Sequence, residues 1–226
     1  MQPDFSRPIL AIDTSTGYLS LALRSDGQTL LQHTEAGNKQ SDLILPHIGG
    51  LLAEAGLTAA DVGAVVYAQG PGTFTGLRIG IGVAQGLAAP FDLPLIGVPC
   101  LDAVAYQIEA ACVLAAADAR MGEVFYAWFD TVNHRRLSDY QVGSAAAITL
   151  PPDTDAAAVR GAGNAFSLAD APPFSGIADM PTAAAYLDLA QTGRYAATDA
   201  AQAGLLYVRN KIALTAQEQA ARKAGM

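Results

Sequence analysis

The chain has 226 residues and a formal net charge of −8, and just over half of its residues are apolar. This length and composition allow a large hydrophobic core and exclude an intrinsically disordered protein. The acidic balance disfavours direct binding to nucleic acid, because that binding requires Lys and Arg to neutralise phosphates. We therefore expect another chain to make most of any contact with RNA.

The sequence predicts a cytoplasmic protein without a membrane segment. Cys100 and Cys112 form no CxxC motif and are too few for a disulfide scaffold, which is typical of a reduced compartment. Asp4, Arg7 and Asp13 interrupt the first apolar stretch, so a secretory signal peptide is not predicted. No apolar run reaches the ~18 to 20 residues that a membrane span requires.

The first half of the chain predicts three antiparallel strands followed by alternating helices and strands. An Asp-Gly pair at 26–27 indicates a hairpin between the second and third strands. The predicted strands are 8–14, 18–24, 28–35, 64–68 and 93–98. The predicted helices are 41–56, 73–89 and 101–111, and Pro46 is expected in the first turn of the first helix.

The same type of pattern starts again in the second half. The predicted strands there are 113–117, 123–130, 137–143 and 158–161, followed by a helix over 182–191. Residues 215–226 predict a polar helix or a frayed end. The repetition indicates two α/β lobes of related topology, an N-terminal lobe over 1–111 and a smaller second lobe over 112–226.

Residues 70–88, GPGTFTGLRIGIGVAQGLA, combine a glycine-rich turn with a helix and raise the question of phosphate binding. A P-loop requires GxxxxGK[ST], and the segment has no Gly-Lys pair. The dinucleotide motif GxGxxG is also not matched, because Gly70, Gly72 and Gly76 are spaced as GxGxxxG. The acid 20 residues after Gly72, Asp92, precedes a strand instead of ending one. Neither phosphate site is predicted.

The helix itself carries two groups of small residues. One stripe is formed by Gly76, Gly80, Ala84 and Ala88, and the other by Gly82, Gly86 and Ala89. Each glycine inside a helix costs about 1 kcal/mol relative to alanine, which close packing can offset. Two explanations remain open: packing on this chain's own sheet, or packing on another chain. Arg78, on the polar side near Gln85, is either a solvated charge or an interface residue.

Five segments resemble the TsaB family, also called YeaZ. They are ILAIDTST, DLILPHIGGLL, GPGTFTGLRIGIGVAQGLA, LIGVPCLDAVA and DARMGEVFYAWF, in the family's order over residues 9–129. The resemblance implies the fold of the actin-like, sugar-kinase and Hsp70 ATPase superfamily, an α/β fold with two ribonuclease-H-like lobes. It also implies a non-catalytic role in forming threonylcarbamoyladenosine next to the anticodon of tRNA, in support of the catalytic paralogue TsaD.

The resemblance further implies partners and a partner surface. TsaD, the small ATPase TsaE and a second copy of the chain are the implied partners, and helices 42–55 and 73–89 are the implied surface. The implied interface residues are Leu45, Ile48, Leu52, Thr75, Gly76, Arg78, Ile79, Gly80, Gly82, Val83 and Gly86. We expect leucine at Gly80 or Gly82 to abolish the complex and to leave the monomer folded.

Relative to the superfamily, the phosphate loops are altered. The first loop (residues 13–17) has Ser15 where glycine would let the backbone approach a phosphate, and the second loop (residues 118–122) has Arg120 in that place. The resulting weak nucleotide-binding candidates are Asp13, Thr14, Ser15, Asp118 and Arg120. A simpler explanation is that both aspartates end strands and cap turns. Residues 160–166 match the adenosine segment poorly.

The resemblance implies no metal and no catalytic residue in this chain. TsaD has a metal-binding HxxxH motif, and the matching positions here are Cys100 and Val104, of which valine cannot bind a metal. We expect no intrinsic cofactor, with ATP bound weakly or at a complex interface as an open alternative. Three other functions are alternatives: an ATP-dependent small-molecule kinase or ATPase of the same fold, a peptidase, and an unrelated homodimeric scaffold. The peptidase lacks a recognisable nucleophile–base pair.

Overall fold

Two six-stranded sheets carry the fold of residues 1–208, the part of the chain that the computed structural model describes. In chain order the first sheet is built from β1 (Ile9–Asp13), β2 (Tyr18–Ser25), β3 (Gln28–Glu35), β4 (Ala64–Gly70) and β5 (Leu95–Pro99). The second sheet contains β6 (Val113–Arg120), β7 (Glu123–Asp130), β8 (Arg135–Arg136), β9 (Gln141–Gly143), β10 (Arg160–Ala162) and β11 (Gly176–Ile177). A last strand, β12 (Ala197–Thr198), returns to the first sheet.

The first sheet has the order β12-β5-β4-β1-β2-β3. β1 pairs antiparallel with β2 and parallel with β4, and β4 pairs parallel with β5. The β2–β3 hairpin turns at Asp26 and Gly27, whose φ angles of 49° and 75° are the positive values that a two-residue hairpin turn requires. The predicted hairpin and the predicted order of elements in the first half are therefore confirmed.

Four α-helices are described: α1 (Gln40–Glu54), α2 (Phe74–Ala88), α3 (Cys100–Ala105) and α4 (Ala183–Gln191). The buried sides of α1 and α2 share one hydrophobic core with one face of the first sheet. The opposite face of that sheet packs against α3 and α4. Because α1 and α2 cover the sheet with one side each, their other sides point away from the core.

The second lobe is built on the long antiparallel pair β6–β7, with β10 and β11 added in parallel register beside β6. Its apolar residues form two clusters, one of which includes residues of α3. α4 and β12, however, pack on the first sheet. The range 112–226 that we predicted as a second lobe thus includes segments that belong to the first lobe in space.

Several predicted elements need correction. The predicted helix 101–111 ends at Ala105, since residues 108–110 bond instead to Thr131, whose Oγ1 accepts from Ala110 N at 2.9 Å and donates to Ile108 O at 2.7 Å. The predicted strand 137–143 is reduced to Gln141–Gly143. Pro46 lies inside α1 and not in its first turn, because the helix begins at Gln40. The prediction for 215–226 lies outside the described residues.

No helix among residues 1–208 combines the length and the apolar character that a membrane crossing would require.

Candidate functional site

The first three residues of the first loop, Asp13 to Ser15, are buried, and the loop is closed by a turn on itself. Asp13 Oδ1 accepts a hydrogen bond from Ser15 N at 2.8 Å, the turn that an aspartate typically caps at the end of a strand. Thr14 Oγ1 donates to Gly76 O at 2.7 Å, and Ser15 O accepts from Thr73 N at 2.8 Å. Thr14 and Ser15 are 1% and 3% exposed. The hydroxyl of Thr14 and the backbone N–H of Ser15 are therefore already bonded within this chain, to the start of α2 and to Asp13.

Glycines of the GPGTFTG motif allow this close approach. A Cβ at Gly72 would lie 2.8 Å from Ser15 Cβ, and a Cβ at Gly76 would overlap the carbonyl oxygen of Thr14. A Cβ at Gly80 would overlap Thr14 Oγ1, so the expectation that leucine at Gly80 leaves the monomer folded is wrong. The first stripe of small residues thus serves packing within this chain. The motif covers the first loop and does not form a phosphate cradle.

Gln40 is a site residue that sequence reasoning missed. Its side chain is 4% exposed, and Nε2 donates to Thr16 O at 2.9 Å and to Tyr18 O at 2.8 Å. These bonds fix the carbonyl groups that follow Ser15 and hold the first loop in its closed form. The signal in the sequence is weak: a glutamine occupies the position one turn before Ile44 and two turns before Ile48, where the stripe of α1 is otherwise apolar.

The second loop repeats the geometry of the first. Asp118 Oδ1 accepts from Arg120 N at 2.7 Å, and Asp118 Oδ2 lies 3.2 Å from Arg120 Nη1. Asp118 N donates to Asn164 Oδ1 at 2.8 Å, which ties the loop to the 160–166 segment. Arg120 has a φ of 64° and an exposed side chain. Turn capping accounts for both aspartates, and the guanidinium of Arg120 is paired with the carboxylate of its own loop.

The 160–166 segment uses its glycines for internal packing. The ring of Phe166 fills the space where a Cβ of Gly161 would lie, and Gly163, with a φ of 114°, abuts the carbonyl oxygen of Ala116. These close contacts require glycine.

A cleft of about 660 Å³ lies between the two lobes. Its walls come from the first and second loops, the start of α1, the start of α2 and residues 206–208. The phosphate-facing positions of the superfamily do not fit a nucleotide here, because Thr14 and Ser15 lie beneath Gly72 and Thr73. The described residues of this cleft also bring no group of three His, Cys, Asp or Glu side chains together for a metal.

Behind the first loop, Asp13 and Cys100 are buried close to Tyr186. Burial raises the pKa of the Asp13 carboxyl above its usual range. Burial, followed by the negative charge of Asp13, raises the pKa of the Cys100 thiol to about 12. A thiol with this pKa stays protonated at neutral pH and is a poor nucleophile. The cluster offers no support for a cysteine peptidase.

The predicted partner residues separate into two groups. Ile48, Leu52, Gly76 and Gly80 are buried within this chain's own core, so their prediction as partner contacts is corrected. The remaining residues form what we call the α1–α2 face. Exposed on this face are Leu45, Thr75, Arg78, Gly82 and Gly86, and half-buried beside them are Ile79 and Val83. A Cβ at Gly82 or Gly86 would meet nothing within 4 Å.

The family model described as "TsaD: tRNA N6-adenosine threonylcarbamoyltransferase" matches residues 33–224. The "tRNA threonylcarbamoyladenosine biosynthesis protein TsaB" of Escherichia coli is 46% identical over 123 residues, 53% of each chain. The protein of the same name from Bacillus subtilis is 32% identical over 120 residues, 52% of each chain. The chain thus spans about half the length of these curated relatives.

A solved structure matches over a larger share. "YeaZ from Pseudomonas aeruginosa" is 33% identical, with a TM-score of 0.80 over 89% of this chain and 99% of that chain. Together with the two sheets and their flanking helices, this match confirms the predicted fold class. The protein is an α/β protein with the two ribonuclease-H-like lobes of the actin-like, sugar-kinase and Hsp70 ATPase superfamily.

Proposed function

The chain belongs to the TsaB (YeaZ) family, and from this premise we propose that it is a non-catalytic subunit required for forming threonylcarbamoyladenosine next to the anticodon of tRNA. The name of the relatives from Escherichia coli and Bacillus subtilis supports the biosynthetic role. The non-catalytic part of the proposal rests on one structural observation. Thr14 and Ser15 of the first loop are buried beneath Gly72 and the start of α2, where an active member of the superfamily would hold phosphates.

The partner in this proposal is a TsaD-type catalytic paralogue, bound by the α1–α2 face. The exposed glycines of α2 support this role, because a flat helix surface without side chains lets another helix approach closely. They have no packing function inside the monomer, since the positions of Gly82 and Gly86 are open. A glycine destabilises a helix by about 1 kcal/mol relative to alanine. Because Gly82 and Gly86 contact nothing in their own chain that offsets this cost, we infer that they contact another chain.

The proposal extends to the other components. A TsaE-type ATPase joins the complex, and the isolated chain forms a homodimer through the same α1–α2 face, in competition with the paralogue. The chain works in the cytoplasm and has no cofactor of its own. Because its net charge of −8 disfavours direct binding to the phosphates of tRNA, it contacts tRNA through the paralogue. ATP, where present, is bound weakly or at the interface of the complex.

The test is mass spectrometry of tRNA nucleosides after depletion of this protein in its own cells. Threonylcarbamoyladenosine should fall on depletion and return with the wild-type chain, but not with Gly82→Leu. Leucine at Gly82 meets open space in the monomer, so this variant keeps its fold while its side chain blocks the α1–α2 face. Gly143→Leu, at an equally open glycine of the second lobe, is the matched control and should restore the nucleoside.

An unchanged nucleoside level after verified depletion contradicts the biosynthetic role. Full rescue by Gly82→Leu contradicts the α1–α2 face as the partner surface and leaves the biosynthetic role intact. Thermal unfolding of the purified variants should show that neither substitution lowers the stability of the monomer.

A further inference from the structure

Arg78 is the single charged residue in the fifteen residues of α2. It lies on the exposed side of the helix, one turn after Phe74 and one turn before Gly82. Residues spaced by four in a helix share a side, so these three residues and Gly86 form one continuous stripe on the α1–α2 face.

The guanidinium of Arg78 is held in a defined position by aromatic rings. Its Cζ lies 3.2 Å from the ring centroid of Phe74 and 5.8 Å from that of Tyr207. Both rings remain about half exposed, at 46% and 52%. Stacking uses the flat face of a guanidinium and leaves its in-plane N–H groups available for hydrogen bonds. Within residues 1–208, the ion pairs involve other arginines, and Arg78 has none.

Tyr207 reaches this place because the preceding segment is fixed to the first lobe. Leu206 N donates to Gln69 O at 2.9 Å, and the side chain of Gln69 donates to Gly204 O at 3.2 Å. Further back, Gln85 Nε2 of α2 donates to Ala200 O at 2.9 Å. Residues 200–206 therefore run beside α2 and place Tyr207 next to Arg78. The surface around Arg78 thus includes a segment that the two helices alone do not provide.

A partner that covers this stripe also removes water from the guanidinium. A charge buried without a counter-ion is strongly unfavourable, whereas a carboxylate in the guanidinium plane accepts two parallel charge-assisted hydrogen bonds. Arginine next to exposed aromatic rings is also the composition of residues that dominate binding at interfaces. The chemistry of the covering surface is therefore constrained by Arg78.

We propose, on the basis of the proposed function, that Arg78 is the specificity-determining contact on the α1–α2 face. Held by Phe74 and Tyr207, its guanidinium pairs with an aspartate or glutamate on the helix with which the catalytic partner covers this face. The aromatic rings orient the guanidinium before binding. The small residues Gly82 and Gly86 let the partner helix come close enough for its carboxylate to reach the guanidinium plane.

The experiment measures calorimetric affinity between the full-length chain and the purified catalytic paralogue of the same organism. Arg78→Met keeps the length of the side chain without its charge and should weaken binding about 10- to 100-fold, the range for a buried charge-assisted pair. Arg78→Lys keeps the charge without the planar fork and should give an intermediate loss. Arg160→Met, at an exposed arginine of the second lobe, is the control and should bind like the wild type.

The affinity of Arg78→Met is then measured against Asp→Asn and Glu→Gln variants of the partner's helices. For one of these partner variants, Arg78→Met should bind no more weakly than the wild-type chain, which identifies the carboxylate that pairs with Arg78. Equal binding by wild type and Arg78→Met overturns this inference and leaves the proposed function standing. The inference is also overturned if Arg78→Met weakens binding of the paralogue to the same extent whichever partner carboxylate is removed. Competition by tRNA for the Arg78 site likewise overturns it, because the ligand of Arg78 would then be a phosphate. Weakening of the homodimer alone overturns it too, and failure of the wild-type chain to bind the paralogue overturns both proposals.

Discussion

Replacing Gly76 by alanine tests whether the GPGTFTG motif is a device for internal packing. The added Cβ would overlap the carbonyl oxygen of Thr14 and lie 2.5 Å from Thr73 Oγ1 and 2.9 Å from Gln40 Oε1. Side chains can rotate away from a methyl group, but the carbonyl of Thr14 belongs to the backbone of the first loop. Alanine therefore forces either α2 or the first loop to move.

The size of the effect follows from two opposing contributions. Overpacking a well-packed site costs about 1 to 3 kcal/mol, and the fixed carbonyl places Gly76→Ala near the upper end, at about 3 kcal/mol. The higher helix propensity of alanine returns about 1 kcal/mol, so the net loss in the free energy of unfolding is about 2 kcal/mol. Gly86→Ala meets open space on the same helix and should gain about 1 kcal/mol. The two variants should thus differ by about 3 kcal/mol.

Urea unfolding followed by circular dichroism at 222 nm measures this difference. With a denaturant slope of about 3 kcal/mol per molar, the midpoints of Gly76→Ala and Gly86→Ala should be separated by about 1 M urea. Gly86→Ala corrects for the propensity of alanine, because it makes the same substitution in the same helix. Equal midpoints for the two variants would refute the packing explanation of the motif.

Two further predictions concern the first loop. Burial raises the pKa of the Asp13 carboxyl in the folded protein above 3.8, so the folded protein binds the carboxyl proton more tightly than the unfolded chain does. The stability of the wild type relative to Asp13→Asn should therefore be greatest below pH 3.8 and should fall as the pH rises. Chemical unfolding at several pH values measures this difference, and a trend in the opposite direction would contradict the burial of an uncompensated carboxyl. Calorimetry with ATP and magnesium should show no tight binding that Asp13→Ala removes, because the first loop is covered by Gly72 and Thr73; tight binding lost in that variant would instead favour a kinase or ATPase.

Local signals in the sequence were sufficient for the strands and the first two helices of the first lobe. The Asp26-Gly27 turn requires only two adjacent residues, and the strands and helices around it follow from the spacing of apolar side chains. The predicted helix 101–111 failed because its end depends on Thr131, a residue of the second lobe that bonds to the backbone at 108 and 110. A helix end determined by contacts 21 and 23 residues away has no signature in the local pattern.

For the candidate site, periodicity identified two stripes of small residues on α2. It could not show which stripe faces this chain's own sheet and which stripe is exposed. Gly76 and Gly80 face inward because Thr14 occupies the space beside them, and that neighbour follows from the packing of α2 on β1. Gln40 was missed for the same reason. Its role depends on carbonyl groups at Thr16 and Tyr18, which only the fold brings to the start of α1.

The inner and outer sides of α2 are mechanically linked. The contact of Gly76 with Thr14 sets the depth at which α2 sits on the first sheet, and this depth also sets the height of Arg78 and Gly82 on the α1–α2 face. A bidentate contact to a guanidinium tolerates little displacement, because hydrogen bonds weaken steeply with distance and angle. Gly76→Ala should therefore weaken binding of the catalytic paralogue even under conditions in which the variant is fully folded, whereas Gly143→Leu should not. The closed first loop and the partner surface would then depend on one another through a single helix.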